Sequence, residues 1–320
     1  MMLNPRLSII IVNWNTSGLL KSCLDSLFNG EIKYSFEVIV VDNNSLDDSV
    51  QMLENRFPNV RLIQNKHNIG FAKANNQGIQ NSNGEYILLL NSDTEILKVD
   101  ILEKWIDFMD SHEQAGASGC KLVFPDGSHQ VGDAGFKPGV FTAFNHAFFL
   151  SKICPALFKG VFVCSKKINQ PQEVDWISGA DLMLRKSILK EVGLLDESIF
   201  MFAEDVEFGC RIKENGYKVF YLPYFNIIHL QGGSHKDGPE NISCLWLQNL
   251  RYIYGINKKN TLFLFDFFMI IGMYLRMVLY FLAYIFTKNE KYNKKSKHMA
   301  IYGTYLCNTF GVTPAKEKAR

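Results

Sequence analysis

The segment YILLLNSDTE, residues 86–95, constrains this chain more than any other. Tyr86–Leu90 is an uninterrupted run of strand-forming residues, which predicts a strand buried on both faces. Asn91, Ser92 and Asp93 follow it directly. In α/β sheets the ligand crevice opens at the carboxyl ends of the strands, where a carboxylate can hold a divalent cation against a phosphate. The alternative is that Ser92 and Asp93 only cap a helix predicted over 98–110.

The first 125 residues alternate between predicted strands and helices. Apolar runs predict strands at 7–12, 36–41, 60–63 and 86–90. Helical patterns are predicted after Thr16-Ser17, after an S-x-x-D start formed by Ser45 and Asp48, over 71–80 and over 98–110. This alternation is typical of an α/β protein with a mainly parallel central sheet flanked by helices.

The following residues are less regular. Residues 125–172 include Pro125, Gly127, Gly132, Gly135, Pro138 and Gly139, followed by an aromatic stretch at 141–149, and we expect them to pack over the sheet edge or over a substrate. A strand is predicted over 174–184, a helix from Ser187, a helix over 204–215 that ends at Gly216, and a strand over 218–222.

Net charge and cysteine content limit the possible partners and the cellular compartment of this chain. The formal net charge of +2 gives no reason to expect a nucleic-acid partner. The seven cysteines form no C-x-x-C pair, so neither a zinc site nor a disulfide framework is indicated, and a reduced cytoplasmic setting fits. The apolar run at 7–12 is too short for a signal peptide and is explained by a buried first strand.

The tail is strongly apolar over residues 261–286, where only Asp266 and Arg276 are charged. That length suffices to span a bilayer, but each charge is costly inside one and the two lie too far apart along a helix to pair. Lysines flank both ends of the segment. The pattern favours helices that lie on or dip into the cytoplasmic leaflet, with a buried helical subdomain or a dimer interface as the alternative.

Polar residues cluster where predicted strands end or helices begin. Asn13 and Asn15 follow the first strand, Asp42-Asn43-Asn44 the second and Asn91-Ser92-Asp93 the fourth, while Glu204-Asp205 open a helix. Single residues of this kind usually form turns, but three successive clusters favour a binding crevice.

No G-x-G-x-x-G follows the first strand, and neither a P-loop motif nor a G-x-S-x-G elbow occurs. A diphosphate in such a crevice would need a metal to neutralise it.

Longer motifs carry a family resemblance over residues 7–235. They are LSIIIVNWN, VIVVDNNSLDDS, NIGFAKANNQGI, YILLLNSDTEI, WISGADLMLRKS, GLLDESIFMFAEDVEFGCRIKENGYKV and IIHLQGGS. In this order they resemble the family 2 inverting glycosyltransferases with the GT-A fold, especially the bacterial rhamnosyltransferase-like branch.

The resemblance implies a role for each matching residue. Asp42 would contact the nucleobase, Asn91-Ser92-Asp93 stands for the family's D-x-D, and Asp205 would be the catalytic base beside Glu204. Asp93 and His229 would ligate Mn²⁺ or Mg²⁺. The remaining donor-binding residues would be Asn13, Asn15, Asn44, Gly70, Phe71, Lys73 and Asn75. Residues near the acceptor would be Trp176, Gly179, Ala180 and Asp181.

Several of these residues also have ordinary interpretations. Asn91 replaces the first acid of the D-x-D with a weaker neutral ligand, so Asp93 should dominate metal binding. Glu204 and Asp205 also suit the first turn of any helix, whose dipole keeps an acid ionised. A lone histidine such as His229 is more often a hydrogen-bonded residue than a ligand, and Trp176 suits a core as well as a sugar platform. Lys73 and Asn75 suit a solvated helix.

Two functions follow. The first is an inverting transfer of a sugar from a nucleotide-diphospho-sugar, with dTDP-rhamnose suggested by the branch, to a glycan or lipid-linked glycan acceptor at the cytoplasmic face of the membrane. The second is a non-catalytic nucleotide-sugar-binding or scaffolding component of polysaccharide assembly. The predicted domains are a glycosyltransferase domain at 1–240, divided into a nucleotide half at 1–125 and an acceptor half at 126–240, and a membrane-associating region at 241–320.

Overall fold

The computed structural model describes residues 4–163, 168–230 and 243–312. The strands are β1 (Leu7–Asn13), β2 (Phe36–Asp42), β3 (Arg61–Gln64), β4 (Tyr86–Asn91), β5 (Thr94–Glu95), β6 (Ala115–Val123), β7 (Ala134–Gly135), β8 (Gln172–Val174), β9 (Trp176–Ile177), β10 (Asp181–Arg185) and β11 (Lys218–His229). The helices are α1 (Ser17–Phe28), α2 (Ser49–Arg56), α3 (Phe71–Gln80), α4 (Asp100–Ser111), α5 (Val140–Ala147), α6 (Leu150–Ile153), α7 (Leu189–Val192), α8 (Glu204–Glu214), α9 (Leu245–Lys258), α10 (Leu262–Thr287) and α11 (Glu290–Asn308).

The chain divides into two compact units. Of the described residues, the first unit contains 4–134 and 168–230, and the second contains 135–163 and 243–312. In this division the irregular stretch after residue 134 groups with the C-terminal helices. The domain boundary at residue 240 stays a prediction.

The first unit is built on a mixed sheet with the strand order β3-β2-β1-β4-β10-β6-β11-β5, with β8 beside β11. Strands β1 to β4 are parallel, and β10 runs antiparallel between β4 and β6. Asn13 lies opposite Asp42, and Val12 lies opposite Asn91. The polar ends of three strands therefore meet at one edge of the sheet, and the predicted α/β class with a mainly parallel sheet is confirmed.

Burial in the core explains why these strands appear in the sequence as continuous apolar runs. Residues Leu7, Ile9, Ile10 and Ile11 of β1 have no exposed surface, because helices cover both faces of a parallel sheet. Helix α3 lies so close to β1 that a Cβ at Gly78 would fall 2.3 Å from Ile10 Cγ2. A glycine is needed at that position.

Several predicted elements differ from the structure. The strand predicted over 174–184 is three short strands, β8, β9 and β10, because a turn at Ser178–Ala180 interrupts it. The strand predicted over 218–222 continues to His229 with an irregular register after Leu222. Strand β6 was not predicted, and the helix expected from Ser187 is a 3₁₀ turn followed by the short α7.

The second unit is helical. Helix α10 packs against α5 and α11, and Arg276 donates to the carbonyls of Gly272 and His146. Of the irregular stretch, α5 thus packs on α10 within this unit, whereas Gln130 and Asp133 contact β11 of the first unit. Asp266 is fully buried and pairs with the equally buried Arg251 at 2.7 and 2.9 Å. Asp266 and Arg276 therefore have separate partners inside this unit.

Candidate active site

The first part of the site lies at the carboxyl ends of β1 and β2. Asn13 Nδ2 donates to Asp42 Oδ1 at 2.8 Å, and both side chains are buried. Ser45 donates to the same carboxylate from its hydroxyl, at 2.6 Å, and from its backbone N–H, at 2.8 Å. These bonds fix Asp42 and leave Oδ2 with acceptor capacity for a ligand.

Two hydroxyl residues that were predicted to start helices belong to this site instead. Ser45 bonds Asp42 and receives the backbone N–H of Asn15 at 2.9 Å. Thr16 donates to Asn13 Oδ1 at 2.7 Å and lies 3.0 Å from Ser92 Oγ. Asp47 supplies the caps, because its carboxylate accepts from the N–H groups of Ser17 and Ser49. Helices α1 and α2 do form after these residues, but the prediction that the hydroxyls of Thr16 and Ser45 cap them was wrong.

The second part of the site joins the end of β4 to the end of β11. His229 Nε2 lies 3.1 Å from Asp93 Oδ1 and 3.3 Å from Asn91 Nδ2. The three residues meet because β11 pairs with β5, which begins directly after Asp93. Helix α4 begins only at Asp100, so the alternative in which Asp93 and Ser92 cap it is wrong.

These three side chains fit a divalent cation. Cis ligands of a six-coordinate cation with bonds of about 2.1 Å lie about 3 Å apart, as these atoms do. Asn91 Oδ1 is buried and has no hydrogen-bond partner among the described residues, and a half turn of the carboxamide would direct it at the same point as Asp93. No cluster of three His, Cys, Asp or Glu side chains is present in the described ranges. Asn91, Asp93 and His229 offer three ligands, so a six-coordinate cation held by them would keep positions for the oxygens of a diphosphate.

The third part of the site is the start of α8. Asp205 is half-buried, and its carboxylate accepts the N–H of Gly179 at 2.9 Å and that of Val206 at 2.8 Å. Burial raises the pKa of Asp205 although these N–H groups lower it. The expectation that the helix terminus alone would set its ionisation therefore missed the larger effect. Phe202 and Ala203, just before α8, both adopt the left-handed conformation, which is strained for such residues.

A short path of bonds connects Asp205 with the end of β4. Gly179 N bonds Asp205, and the carbonyl of the next residue, Ala180, accepts the N–H of Asn91 at 3.0 Å. A Cβ at Gly179 would lie 3.1 Å from the ring of Phe71 and 3.8 Å from Asp205 Cβ. The structure thus brings together residues that are predicted to bind the donor, to contact the acceptor and to act as the base.

Other predicted donor residues have a different environment. The N–H of Phe71 is bonded to the carbonyl of Phe200 at 2.8 Å, so this N–H is not available to a phosphate. Gly70 has φ +88°, and a Cβ there would fall 2.7 Å from Phe200. Asn75 is buried and donates to the Phe71 carbonyl. Lys73 is exposed on α3, and Asn44 is an exposed turn residue with positive φ.

Three further predicted residues are buried. Trp176 is 3% exposed and packs against Gly209 of α8, where a Cβ would fall 2.8 Å from its side chain. Asp181 has no exposed surface, and its carboxylate accepts the N–H of Cys120. Burial raises the pKa of Asp181 well above its ordinary value. Glu204 is also buried. The geometry gives Trp176 and Asp181 no direct contact surface for an acceptor, and their acceptor roles stay predictions.

Gln130 contacts the site but could not be recognised from the sequence. Gln130 lies in the irregular stretch after β6, and its Oε1 is 2.6 Å from His229 Nδ1. No local sequence pattern predicts this contact, because the two residues are 99 positions apart. Gly232 and Gly233 follow His229 in the sequence and predict a flexible closing loop, and both lie outside the described residues.

Comparisons with known proteins bear on the family and the fold of this chain. Residues 8–165 match the family model described as Glycosyl transferase family 2. An N-acetylglucosaminyl-diphospho-decaprenol L-rhamnosyltransferase of Mycobacterium tuberculosis is 28% identical over 65% of this chain and 70% of its own length. Rhamnosyltransferase WbbL of Escherichia coli is 26% identical over 72% of this chain and 84% of its own length. Two larger relatives are matched over only 26% and 19% of their own length.

Among solved structures, a mannosyltransferase from Pyrobaculum calidifontis in complex with GDP-Man and Mn²⁺ aligns with a TM-score of 0.61 and 15% identity. The alignment covers 96% of this chain and 87% of the other. At this identity the likeness concerns the fold. The chain therefore contains a glycosyl transferase family 2 domain and has the GT-A fold.

Proposed function

We propose that the protein is an inverting glycosyltransferase that moves a sugar from a nucleotide-diphospho-sugar to a glycan or lipid-linked glycan of the cell surface. The observation that carries this proposal is the bonded path from Asp205 through Gly179 and Ala180 to Asn91. It connects Asp205, the proposed base, with the end of β4, where the Asn91 side chain contacts His229 and His229 contacts Asp93. Inverting transfer needs both, a base for the acceptor and positive charge at the departing diphosphate.

Each group has a defined part in this chemistry. Both oxygens of Asp205 are oriented by N–H donors and each keeps a lone pair that can take the proton of an acceptor hydroxyl. Asp93 and His229, with Asn91, would hold Mn²⁺ or Mg²⁺, which when bound neutralises charge on the leaving diphosphate. Asp42, held by Asn13 and Ser45, would orient the nucleobase. The mannosyltransferase that shares the fold was solved with Mn²⁺, which supports the choice of cation.

The names of the relatives support a choice of donor. Two relatives at 28% and 26% identity are rhamnosyltransferases, so we propose dTDP-rhamnose as the first donor to test. Nucleotide-sugars, dTDP-rhamnose among them, should be screened with Mn²⁺ for a rise in melting temperature. A ligand at 100 times its Kd adds about 2.7 kcal/mol to the stability of the folded state. The expected result is stabilisation by one donor class, followed by slow hydrolysis of that donor, in which water takes the sugar in place of the acceptor and the nucleoside diphosphate leaves.

The same experiment distinguishes the two functions. A nucleotide-sugar-binding or scaffolding protein would be stabilised by the donor without releasing nucleoside diphosphate over hours. Stabilisation by no nucleotide-sugar, with or without Mn²⁺, would contradict both functions. Inversion is checked on the product, whose anomeric configuration should be opposite to that of the donor by NMR.

We also propose that the second unit binds the cytoplasmic face of the membrane with α10 in the plane of the bilayer. Among the described residues, Lys259–Thr287 is the one segment long and apolar enough to cross a membrane. Its buried face contains Asp266 and Arg276, and both are satisfied by protein groups. A helix with one face committed to the fold can offer lipid only the other. The exposed apolar residues of that other face are Phe263, Phe267, Val278, Leu279, Phe281, Leu282, Ile285 and Phe286.

Charge supports this orientation. The turn after α10 and the start of α11 carry exposed lysines, which anionic headgroups attract by about 1 kcal/mol for each lysine close to the membrane surface. These lysines are Lys288, Lys291, Lys294, Lys295 and Lys297.

Removing apolar side chains from this face should weaken membrane binding. Phe267 and Phe281 are each about half exposed, so serine at both positions removes roughly 1.5 kcal/mol of apolar transfer free energy, or about tenfold in binding. Flotation with vesicles that contain phosphatidylglycerol measures the effect. The matched control replaces Leu46 and Leu97, which are exposed in the first unit, with serine. Equal flotation of both variants would contradict the proposal, as would a stable dimer that binds no vesicles.

A further inference from the structure

Gln130 is placed against His229 by a tight turn that follows β6. The chain reverses at Asp126-Gly127, where Gly127 has φ +75°, and the N–H of Gln130 then bonds the carbonyl of Leu122 at 2.9 Å. The side chain of Gln130 is 4% exposed, and its Oε1 lies 2.6 Å from His229 Nδ1.

The returning strand of this turn is anchored to β11 at a second point. His129 Nε2 lies 2.8 Å from Asp133 Oδ2, and the hydroxyl of Tyr221 donates to the same oxygen at 2.9 Å. Asp133 has no exposed surface. Because Tyr221 and His229 both belong to β11, the segment that carries Gln130 is fixed to the same strand as the histidine it contacts.

The contact with Gln130 favours one of the two ring nitrogens of His229 as the site of the proton. A carboxamide oxygen only accepts hydrogen bonds, so Nδ1 must donate to Gln130. In a neutral imidazole the other nitrogen, Nε2, then has the lone pair, and this nitrogen faces Asp93. In the free protein the Asp93 carboxylate, 3.1 Å from Nε2, can also accept a hydrogen bond from an N–H at that nitrogen. A cation bound by Asp93 removes that competition, and Gln130 then decides the tautomer.

We propose that Gln130 is a positioning residue that holds the His229 ring with Nδ1 protonated and with the Nε2 lone pair directed at the divalent cation. This inference rests on the metal role in the proposed function. Partners of metal-bound histidines act in this way in general, and their loss costs roughly 10–100-fold in metal affinity.

The test compares two substitutions at position 130. Gln130→Leu keeps a similar side-chain volume but removes the acceptor, whereas Gln130→Glu keeps an acceptor for Nδ1–H. Binding of Mn²⁺ alone is measured from the EPR signal of the free ion. We expect about 10–100-fold weaker binding for Gln130→Leu and equal or tighter binding for Gln130→Glu. Gln77→Leu is the control, because Gln77 bonds Asn65 and not His229.

The outcomes separate this inference from the function on which it rests. Equal Mn²⁺ affinity in wild type and Gln130→Leu, with weaker binding in His229→Ala, would overturn the role of Gln130 alone. Equal affinity in wild type and His229→Ala would overturn the metal role of the histidine and this inference with it. Equal weakening in the Leu and Glu variants would show that packing, not the acceptor, matters, and would also overturn it.

A spectroscopic readout tests the tautomer directly. Two-bond ¹H–¹⁵N spectra of histidine-labelled protein with Mg²⁺ report which nitrogen is protonated, and His229→Gln identifies the resonance among the seven histidines. We expect Nδ1–H in the wild type and in Gln130→Glu, and a shift toward Nε2–H in Gln130→Leu. Nε2–H in the Mg²⁺-loaded wild type would overturn the proposal. Melting temperatures near that of the wild type establish that the variants are folded.

Discussion

Asp205→Asn is expected to lower sugar transfer by on the order of a hundredfold or more while donor binding survives. The amide keeps the size of the side chain and can still accept the N–H of Gly179, but it cannot take a proton from the acceptor hydroxyl. Turnover is measured as nucleoside diphosphate released from the donor identified by thermal stabilisation. Donor binding is measured by the stabilisation itself.

Two further variants on α8 sharpen this test. Glu214→Gln removes an exposed carboxylate at the far end of the same helix and should leave turnover near that of the wild type. Glu204→Gln removes the neighbouring buried acid. Near-normal turnover in Asp205→Asn together with a large loss in Glu204→Gln would assign the base to Glu204 and contradict the proposal.

The pH dependence of the wild-type enzyme should reflect the same residue. Burial raises the pKa of Asp205, so the carboxylate is protonated and inactive at pH values where an ordinary aspartate is already ionised. Turnover should therefore rise with pH, with its half-maximum above the usual aspartate range. From the sequence only the helix terminus, which favours the anion, can be recognised, because burial of a residue by distant segments leaves no local pattern.

The half of the fold that we propose binds the nucleotide could be predicted because its strands are apolar runs. Parallel strands buried on both faces give continuous runs such as Ile9–Ile11 and Leu88–Leu90, and each run ends in a polar residue. Parallel pairing then puts the ends of β1, β2 and β4 at one edge, whatever the details of packing. The positions of Asn13, Asp42 and Asn91 followed from this argument alone.

Strand β6 could not be predicted because its neighbours require small residues. Its sequence, AGASGCKLV, has no apolar run of strand type. The reason is visible only in three dimensions, since a Cβ at Gly119 would lie 2.0 Å from Ile177 Cγ2 and one at Gly116 would lie 2.9 Å from Ile188 Cδ1. A strand selected for close approach loses the pattern by which strands are recognised.

Site residues were misassigned where one side chain can serve two purposes. A serine or threonine near a predicted helix start is usually a cap, yet Thr16 and Ser45 bond Asn13 and Asp42. Gln130 could not be found, because only the turn after β6 brings it to His229. Sequence patterns thus identified residues on strand ends but not the partners that orient them.

Asp93→Ala should remove metal-dependent donor binding and lower turnover by at least about a hundredfold, since Asp93 is the one carboxylate of the cation site proposed here. His229→Ala should have a smaller effect, because the carboxylate keeps the charge that a divalent cation requires. The Kd of the donor is measured with Mn²⁺ and with EDTA. For the wild type the ratio of these two values should be large, and for Asp93→Ala it should approach one.

The control for this prediction is Asp47→Asn, which alters a carboxylate at the same edge of the sheet that caps α1 and α2 rather than facing His229. It should keep the metal dependence of donor binding, even if it melts at a lower temperature. The expected size of the Asp93 effect depends on Asn91, which stands where the family pattern has the first acid of the D-x-D. Because Asn91 is a neutral amide ligand, Asn91→Ala should weaken metal-dependent donor binding less than Asp93→Ala does. Equal losses in the two variants would show that Asn91 contributes as much as Asp93. Transfer that continues undiminished in EDTA would show that Asp93 and His229 act without a cation, and the charge of the leaving diphosphate would then have to be met by other groups.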